Sequence, residues 1–327
     1  MNTTLKKLAE VSGLSISTVS RALKNHPDIS ERTKALIVEL ANAMDYEPDV
    51  NAVHLRTKDS HIFGLIVPSI ANFFYDSCIS SIEEESRKKN YSLMILQSGD
   101  SPEIELDNIK LCRQSRVSGL FACLSSTTEN MDGFLKLKEA DIPVIFFGQV
   151  PERTDCHKVY VADAASATIA AQVVIRKNKK RILALFGDER LPITKRRHKA
   201  FAETIQQNRE PIELITDHAH NSIVAELLTK TYLVQHPDVI FCMNDEILTG
   251  VMKTVQKFRL RVPEDIGVIA ISNGFIPSLY YPQTTYVETS GDKLGKLAFS
   301  SMMSCITGGT FIQDLTIESE LIEGGSL

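Results

Sequence analysis

The stretch "GLSISTVSRALK", Gly13 to Lys24, decides how the amino-terminal part of this chain is read. Val19, Ala22 and Leu23 give it the apolar spacing of a helix, yet Ser15, Ser17, Thr18 and Ser20 crowd the same turns. Hydroxyl side chains weaken a helix interior because they compete for backbone hydrogen bonds. A helix with only a packing role would favour Ala, Leu, Glu and Lys on its wet face. The composition asks for something outside the protein that touches those hydroxyls.

Working outward, Leu5, Leu8, Ala9 and Val11 form a first helical pattern that starts near Thr4, a good N-cap residue. Ala9, Gly13 and Val19 then meet the needs of a helix-turn-helix. A small residue admits the second helix, glycine takes the left-handed turn, and a β-branched residue packs between the helices. Ser30 can cap a third helix carrying Ala35, Leu36, Val38, Leu40 and Ala43, a set expected to close a three-helix core. In this geometry the second helix, roughly residues 16–24, lies in a DNA major groove. Ser15, Ser17, Thr18 and Ser20 then reach phosphates. Ile16 and Ser17 face base edges, Ile16 suits a thymine methyl, and Arg21 suits guanine or a phosphate. Thr4, Lys6 and Asn25 complete the set expected to touch DNA. The whole chain carries a net charge of −5, but its first 27 residues hold Lys6, Lys7, Arg21 and Lys24 against Glu10 alone. A nucleic-acid footprint need only be local.

At 327 residues, 43% hydrophobic and 24% charged, the chain has material for more than one domain and for large cores. No run approaches the roughly 18 apolar residues of a membrane span, and "MNTTLKKLAEVSG" lacks a secretory leader's apolar core. Cys78, Cys112, Cys123, Cys156, Cys242 and Cys305 are scattered and form no CxxC pair, which fits a reducing compartment better than a disulfide frame or zinc site. The expectation is a soluble, cytoplasmic protein with no cofactor and no metal. "DHAH" (217–220) reads as solvent-exposed histidines in a polar loop, and "KNKKR" (177–181) as a helix end with Asn178 taking the left-handed turn. No GxGxxG, P-loop or GxSxG appears and His198 has no evident nucleophile partner, so the chain is read as no enzyme.

From Ile62 the pattern changes. The runs "IFGLIV" (62–67), "YSLMIL" (91–96), "GLFACL" (119–124), "PVIFF" (143–147), "RILALF" (181–186), "DVIFCM" (238–243) and "IGVIAI" (266–271) alternate with longer amphipathic stretches. Runs this apolar suit strands buried on both faces. Their number fits two doubly wound α/β units. Between the regimes lies the polar segment "YEPDVNAVHLRTKDSH" (46–61).

The head "TLKKLAEVSGLSISTVSRALKNHPDISERTKALIVELANAMDYEPD" resembles the headpiece of the lactose-repressor (LacI/GalR) family of bacterial transcription regulators. "LRT" (55–57), "GLIVPSIANFFY" (64–75), "NDEILTG" (244–250) and "LRVPEDIGVIAIS" (260–272) extend the resemblance through nearly the whole chain. It implies an all-α helix-turn-helix headpiece over 1–46, a hinge helix or linker over 47–60, and a core over 61–327. That core would hold two doubly wound parallel-sheet lobes of periplasmic-binding-protein type. One lobe would span about 61–160 plus 291–318 and the other about 161–290, with crossings near 161, 290 and 318.

The resemblance also implies a hinge near Ala52 whose Leu55 wedges into the minor groove of the operator. Asn51 departs from the family's aliphatic residue there. A ligand-responsive homodimer on palindromic operator DNA, commonly a repressor, follows from the same likeness. The sequence ends at "LIEGGSL" with no leucine heptad, so no coiled-coil tetramer is expected.

For the small-molecule effector, the cleft residues implied are Asn72, Phe74, Tyr75, Gly148, Arg197, Asp245 and Ser272. The carboxyl ends of the strands are also where open α/β sheets bind ligands. Gly148, Ala162 and Ser272 stand where the family commonly has Asp, while Arg197 is kept beside Lys195, Arg196 and Lys199. The cleft is therefore expected to be less acidic, and its effector less polyhydroxylated, or more anionic, than a plain hexose. Asp245 or backbone carbonyls are the alternative partners for Arg197. A solute-binding protein for nutrient uptake shares the two-lobed core, but it would need export and has no use for a helix-turn-helix.

Overall fold

A computed structural model describes residues 3–46, 60–309 and 311–327. The chain separates into two compact units, residues 1–60 and 61–327. The expected hinge helix, with Asn51, Ala52 and Leu55, lies outside the described residues.

The first unit holds α1 (Leu5–Ser12), α2 (Ile16–Leu23) and α3 (Glu31–Ala43). The side chains of Thr4, Ser15 and Ser30 cap the three helices by accepting from the amides of Lys7, Thr18 and Thr33. Gly13 sits at φ 69°, in the left-handed region where other residues are strained. Leu8, Ala9, Val19, Ala22, Ile37 and Ala41 form the core. The third helix departs from its expected face. Ile37 and Ala41 are buried and Leu40 half-buried, whereas Ala35, Leu36, Val38 and Ala43 are exposed. With the helix starting at Glu31, positions 37, 40, 41 and 44 share one stripe at 3.6 residues per turn. The expected set mixed two faces.

The second unit contains two six-stranded sheets. The first is built from β1 (Ile62–Val67), β2 (Ser92–Gln97), β3 (Gly119–Ala122), β4 (Val144–Phe147), β5 (His157–Val161) and β11 (Asp314–Ile317), in the order β11-β5-β4-β3-β1-β2. Side chains alternate across it as a strand's period of two requires. Phe63, Leu65, Val67, Phe121 and Phe147 pack toward α4 (Phe73–Lys88) and α11 (Gly291–Ile306). Ile66, Leu120, Ala122 and Phe146 pack toward α5 (Pro102–Gln114) and α6 (Asp132–Lys138). The second sheet, in the order β12-β10-β9-β8-β6-β7, joins β6 (Arg181–Phe186), β7 (Glu213–His218), β8 (Val239–Cys242), β9 (Gly267–Ser272), β10 (Thr285–Glu288) and β12 (Glu320–Ile322). Its helices are α7 (Asp163–Arg176), α8 (Pro192–Gln206), α9 (Ser222–Tyr232) and α10 (Asp245–Lys257).

The chain passes between the sheets after β5, after β10 and after β11. Ser166 and Ser319 fasten two of these crossings through a 2.8 Å hydroxyl contact.

Both sheets are parallel as expected, apart from the edge strand β12, which runs antiparallel to β10. Two expectations are corrected. The run 91–96 is not buried on both faces, because β2 lies at the sheet edge beside β1 and leaves Ile95 exposed. Five strands, β5, β7, β10, β11 and β12, were absent from the apolar runs. Segments such as "ELITDH" and "DLTI" mix polar residues into edge positions, where one face meets water.

Candidate nucleic-acid interface and ligand cleft

In the first unit, Ile16, Ser17 and Arg21 are exposed on α2, and Thr18 and Ser20 are half-buried beside them. Thr4 and Lys6 are exposed at the start of α1, and Asn25, at φ 53°, turns the chain just beyond α2. Ser15 has a local duty as well as a surface position. Its Oγ caps the Thr18 amide at 3.1 Å and lies 2.8 Å from both the Ser17 and Thr18 hydroxyls. Part of the unusual hydroxyl content is thus spent on starting the helix. Arg21 lies 4.0 Å from Asp28, and both side chains are exposed. An ion pair that long and that wet contributes almost nothing, so the guanidinium stands available to another partner.

In the second unit the expected cleft residues fall at the carboxyl ends of strands and form two groups. Asn72 caps α4, its Oδ1 accepting from the amides of Phe74 and Tyr75. Tyr75 meets Cys123, whose thiol donates to the phenol oxygen at 3.3 Å. Gly148 adjoins both: a β-carbon placed there would stand 3.5 Å from Tyr75 Cε1 and from Cys123 Sγ. Burial pushes the Cys123 thiol up to about 11 and holds the Tyr75 phenol well above its ordinary range, so both stay protonated donors at neutral pH.

The other group centres on Arg197, buried on α8. Its Nε and Nη2 donate to Asp163 Oδ1 at 3.2 and 2.9 Å, and its Nη1 donates to the Met243 carbonyl at 3.0 Å. Arg196 donates to the other Asp163 oxygen at 2.8 Å. A guanidinium has five N–H groups, so Arg197 keeps two after these bonds. Asp245, buried at the start of α10, accepts from the Ser272 hydroxyl and, at 3.3 Å, from the Asn273 amide. Burial raises the Asp245 carboxyl above its usual range, opposed by the Ser272 and Asn273 hydrogen bonds and the Arg197 charge.

Arg197 is therefore held by Asp163 and a backbone carbonyl, and no hydrogen bond joins it to Asp245. Sequence reasoning noted the missing carboxylate at Ala162 and passed over Asp163 one residue later. The available signal was an acidic residue opening a helix directly after a lobe crossing. His218 also departs from expectation. It is half-buried, its Nδ1 lies 2.8 Å from the Gly187 carbonyl, and its ring abuts His198. Cavities of about 480 and 390 Å³ lie elsewhere, against α8 and β7 and between α5 and α6. Neither is lined by the cleft residues above. Among the described residues no helix is long and apolar enough to cross a membrane.

The raised Asp245 carboxyl gives a testable sign. The folded state binds the proton more tightly than the unfolded chain, so this group's contribution to stability falls as pH rises from the unfolded value to the raised folded one. Asp245→Asn is expected to increase the urea midpoint at pH 7, with the gain shrinking as the buffer is taken down through the carboxylate range. An unchanged midpoint at every pH would contradict the burial argument.

A helix-turn-helix unit followed by two clefted parallel-sheet lobes defines a DNA-binding regulator with a ligand-receiving core. The model for periplasmic binding proteins and the sugar binding domain of the LacI family matches residues 60–324, and the model for bacterial regulatory proteins of the lacI family matches residues 4–49; the chain belongs to the LacI family. Among curated proteins it is 25% identical over 307 residues to the HTH-type transcriptional repressor PurR of Vibrio campbellii, covering 93% of this chain and 92% of that one. It is also 25% identical over 299 residues to the transcriptional regulator DegA of Bacillus subtilis, covering 90% and 89%.

Among solved structures, the Lac repressor dimer bound to operator and the anti-inducer ONPF superposes with a TM-score of 0.87 at 18% identity, over 100% of this chain and 99% of that one. A periplasmic binding protein/LacI transcriptional regulator from Alkaliphilus metalliredigens, complexed with D-xylulofuranose, gives 0.70 at 26% identity over 81% and 98%.

Proposed function

We propose that this protein is a cytoplasmic repressor and no enzyme. As a homodimer it grips a palindromic operator with two helix-turn-helix heads, and it is switched by a sugar-derived effector in the core cleft. One head reads only a few base pairs, so two copies on a symmetric site are needed for useful specificity. Ile223, Leu227, Val234, Leu279 and Tyr281 stand exposed on the second lobe, an apolar set that a second copy of the chain would cover. Ala52 and Leu55 supply the hinge contact to the minor groove, and Thr4, Lys6, Ser15, Ile16, Ser17, Thr18, Ser20, Arg21 and Asn25 supply the head's contacts.

The observation that carries the effector reading is Arg197, buried with two N–H groups to spare beside Asp245. Asn72, Phe74, Tyr75, Gly148 and Ser272 complete the site. Because Asp163 and Asp245 together balance the charges of Arg196 and Arg197, the cleft does not call for an anion. Of the two expectations for the ligand, the less polyhydroxylated one is favoured. Binding shifts the lobes only by the ligand's differential affinity for two states, and that shift reaches DNA through the hinge.

Selection from random duplexes with the full-length protein is expected to enrich a site with two-fold symmetry. Calorimetry is expected to show stronger binding of deoxy or otherwise reduced sugars than of hexoses or their phosphates. No duplex preference would defeat the first half of the reading, and tight binding of an underivatised hexose the second.

A further inference from the structure

Ser272, Asn273, Gly274 and Phe275 form a tightly wired loop after β9. The Ser272 hydroxyl donates to Asp245 and accepts from the Gly274 amide at 2.9 Å. The Asn273 amide donates to the other Asp245 oxygen, and the Asn273 side-chain Oδ1 accepts from the Phe275 amide at 3.2 Å. Gly274 is required twice over: φ is 96°, and a β-carbon would come within 2.7 Å of the Tyr286 hydroxyl. These bonds leave the Asn273 Nδ2 with one direction to point. It crosses to the first lobe and donates to the Phe73 carbonyl at 2.9 Å, two hundred positions away in sequence. The rings of Phe73 and Phe275 lie alongside, 6.4 Å between centroids. Phe73 opens α4 and sits between Asn72 and Phe74.

We infer that Asn273, with the Phe275 ring beside Phe73, is a latch that holds the two lobes together across the cleft and wires that closure to Asp245. An effector entering between Asp245 and Phe74 must part the contact, so the latch sets how readily the site opens. This consequence rests on the effector reading proposed above, whereas the latch itself is measured without any ligand.

The test is hydrogen exchange of the full-length, ligand-free protein, comparing Asn273→Ala with Asn273→Asp. Aspartate keeps the acceptor for the Phe275 amide but replaces the donor to Phe73 by a carboxylate oxygen that repels the Phe73 carbonyl, so it separates a latch from a local turn. Both variants are expected to raise exchange about fivefold in peptides covering 70–78, as for loss of one neutral hydrogen bond, with the rest of the core unchanged. Wild-type protection at 70–78 in Asn273→Asp would overturn the latch and leave the effector reading standing. Should the Asn273 variants lose protection everywhere, Phe275→Ala, which spares the Asp245 network, decides instead. It must raise exchange at 70–78, and unchanged protection there defeats the proposal.

Discussion

Asp163→Ala is expected to destabilise the core by about 3–5 kcal/mol, the range for removing one partner of a buried ion pair. Asp163 and Arg197 are both buried, and the aspartate also holds Arg196. Removing it strands the Arg197 charge with, among the described residues, only the Met243 carbonyl as hydrogen-bond acceptor. The loss follows from an uncompensated buried cation rather than from the net strength of the pair, which is a smaller quantity. Urea unfolding followed by circular dichroism measures it. Asp163→Asn, which can still accept from Arg197, should fall between wild type and the alanine variant. Because Asp163 opens α7 directly after the crossing from the first lobe, its loss is also expected to weaken effector binding. A midpoint within experimental error of wild type would mean that water or another carboxylate reaches Arg197.

The second large effect is on DNA. Arg21→Ala should remove about 1–3 kcal/mol of base discrimination per half-site. A symmetric operator contains two half-sites whose losses roughly add, so preference for operator over random duplex falls on the order of a thousandfold. Among the described residues Arg21 has only the distant, exposed Asp28 as an ionic neighbour, so the head should unfold at the wild-type temperature. Lys6→Ala is the contrast. It lies exposed at the start of α1, and its removal should weaken all duplexes alike while flattening the salt dependence. Competition gel shifts at two salt concentrations separate these outcomes. Equal selectivity in Arg21→Ala would show that the arginine serves phosphates alone.

Much of the fold was legible because it rests on local periodicity. Thr4, Ser15 and Ser30 announce their helices, Gly13 its turn, and apolar runs such as "GVIAIS" their buried strands. Where a segment meets water on one side the signal weakens, which is why "ELITDH" and "DLTI" passed unread. In α3 the apolar residues outnumber the buried positions, and only packing against Leu8 and Val19 chooses Ile37 over Leu36 and Val38. For the candidate cleft the sequence pointed to a set of strand ends and an arginine, but not to what each charge holds.

The sequence by itself determined a helix-turn-helix head, an α/β core and the residue types gathered at the strand ends, because helix caps, turn glycines and hydrophobic spacing act over a few residues. Only the tertiary structure decided that Arg197 is claimed by Asp163, that Ser272 and Asn273 together grip Asp245, and that Asn273 reaches Phe73 in the opposite lobe. Those partners lie between 27 and 200 positions apart. They meet because the chain crosses between two sheets and turns their strand ends toward one cleft, a convergence that no local pattern encodes.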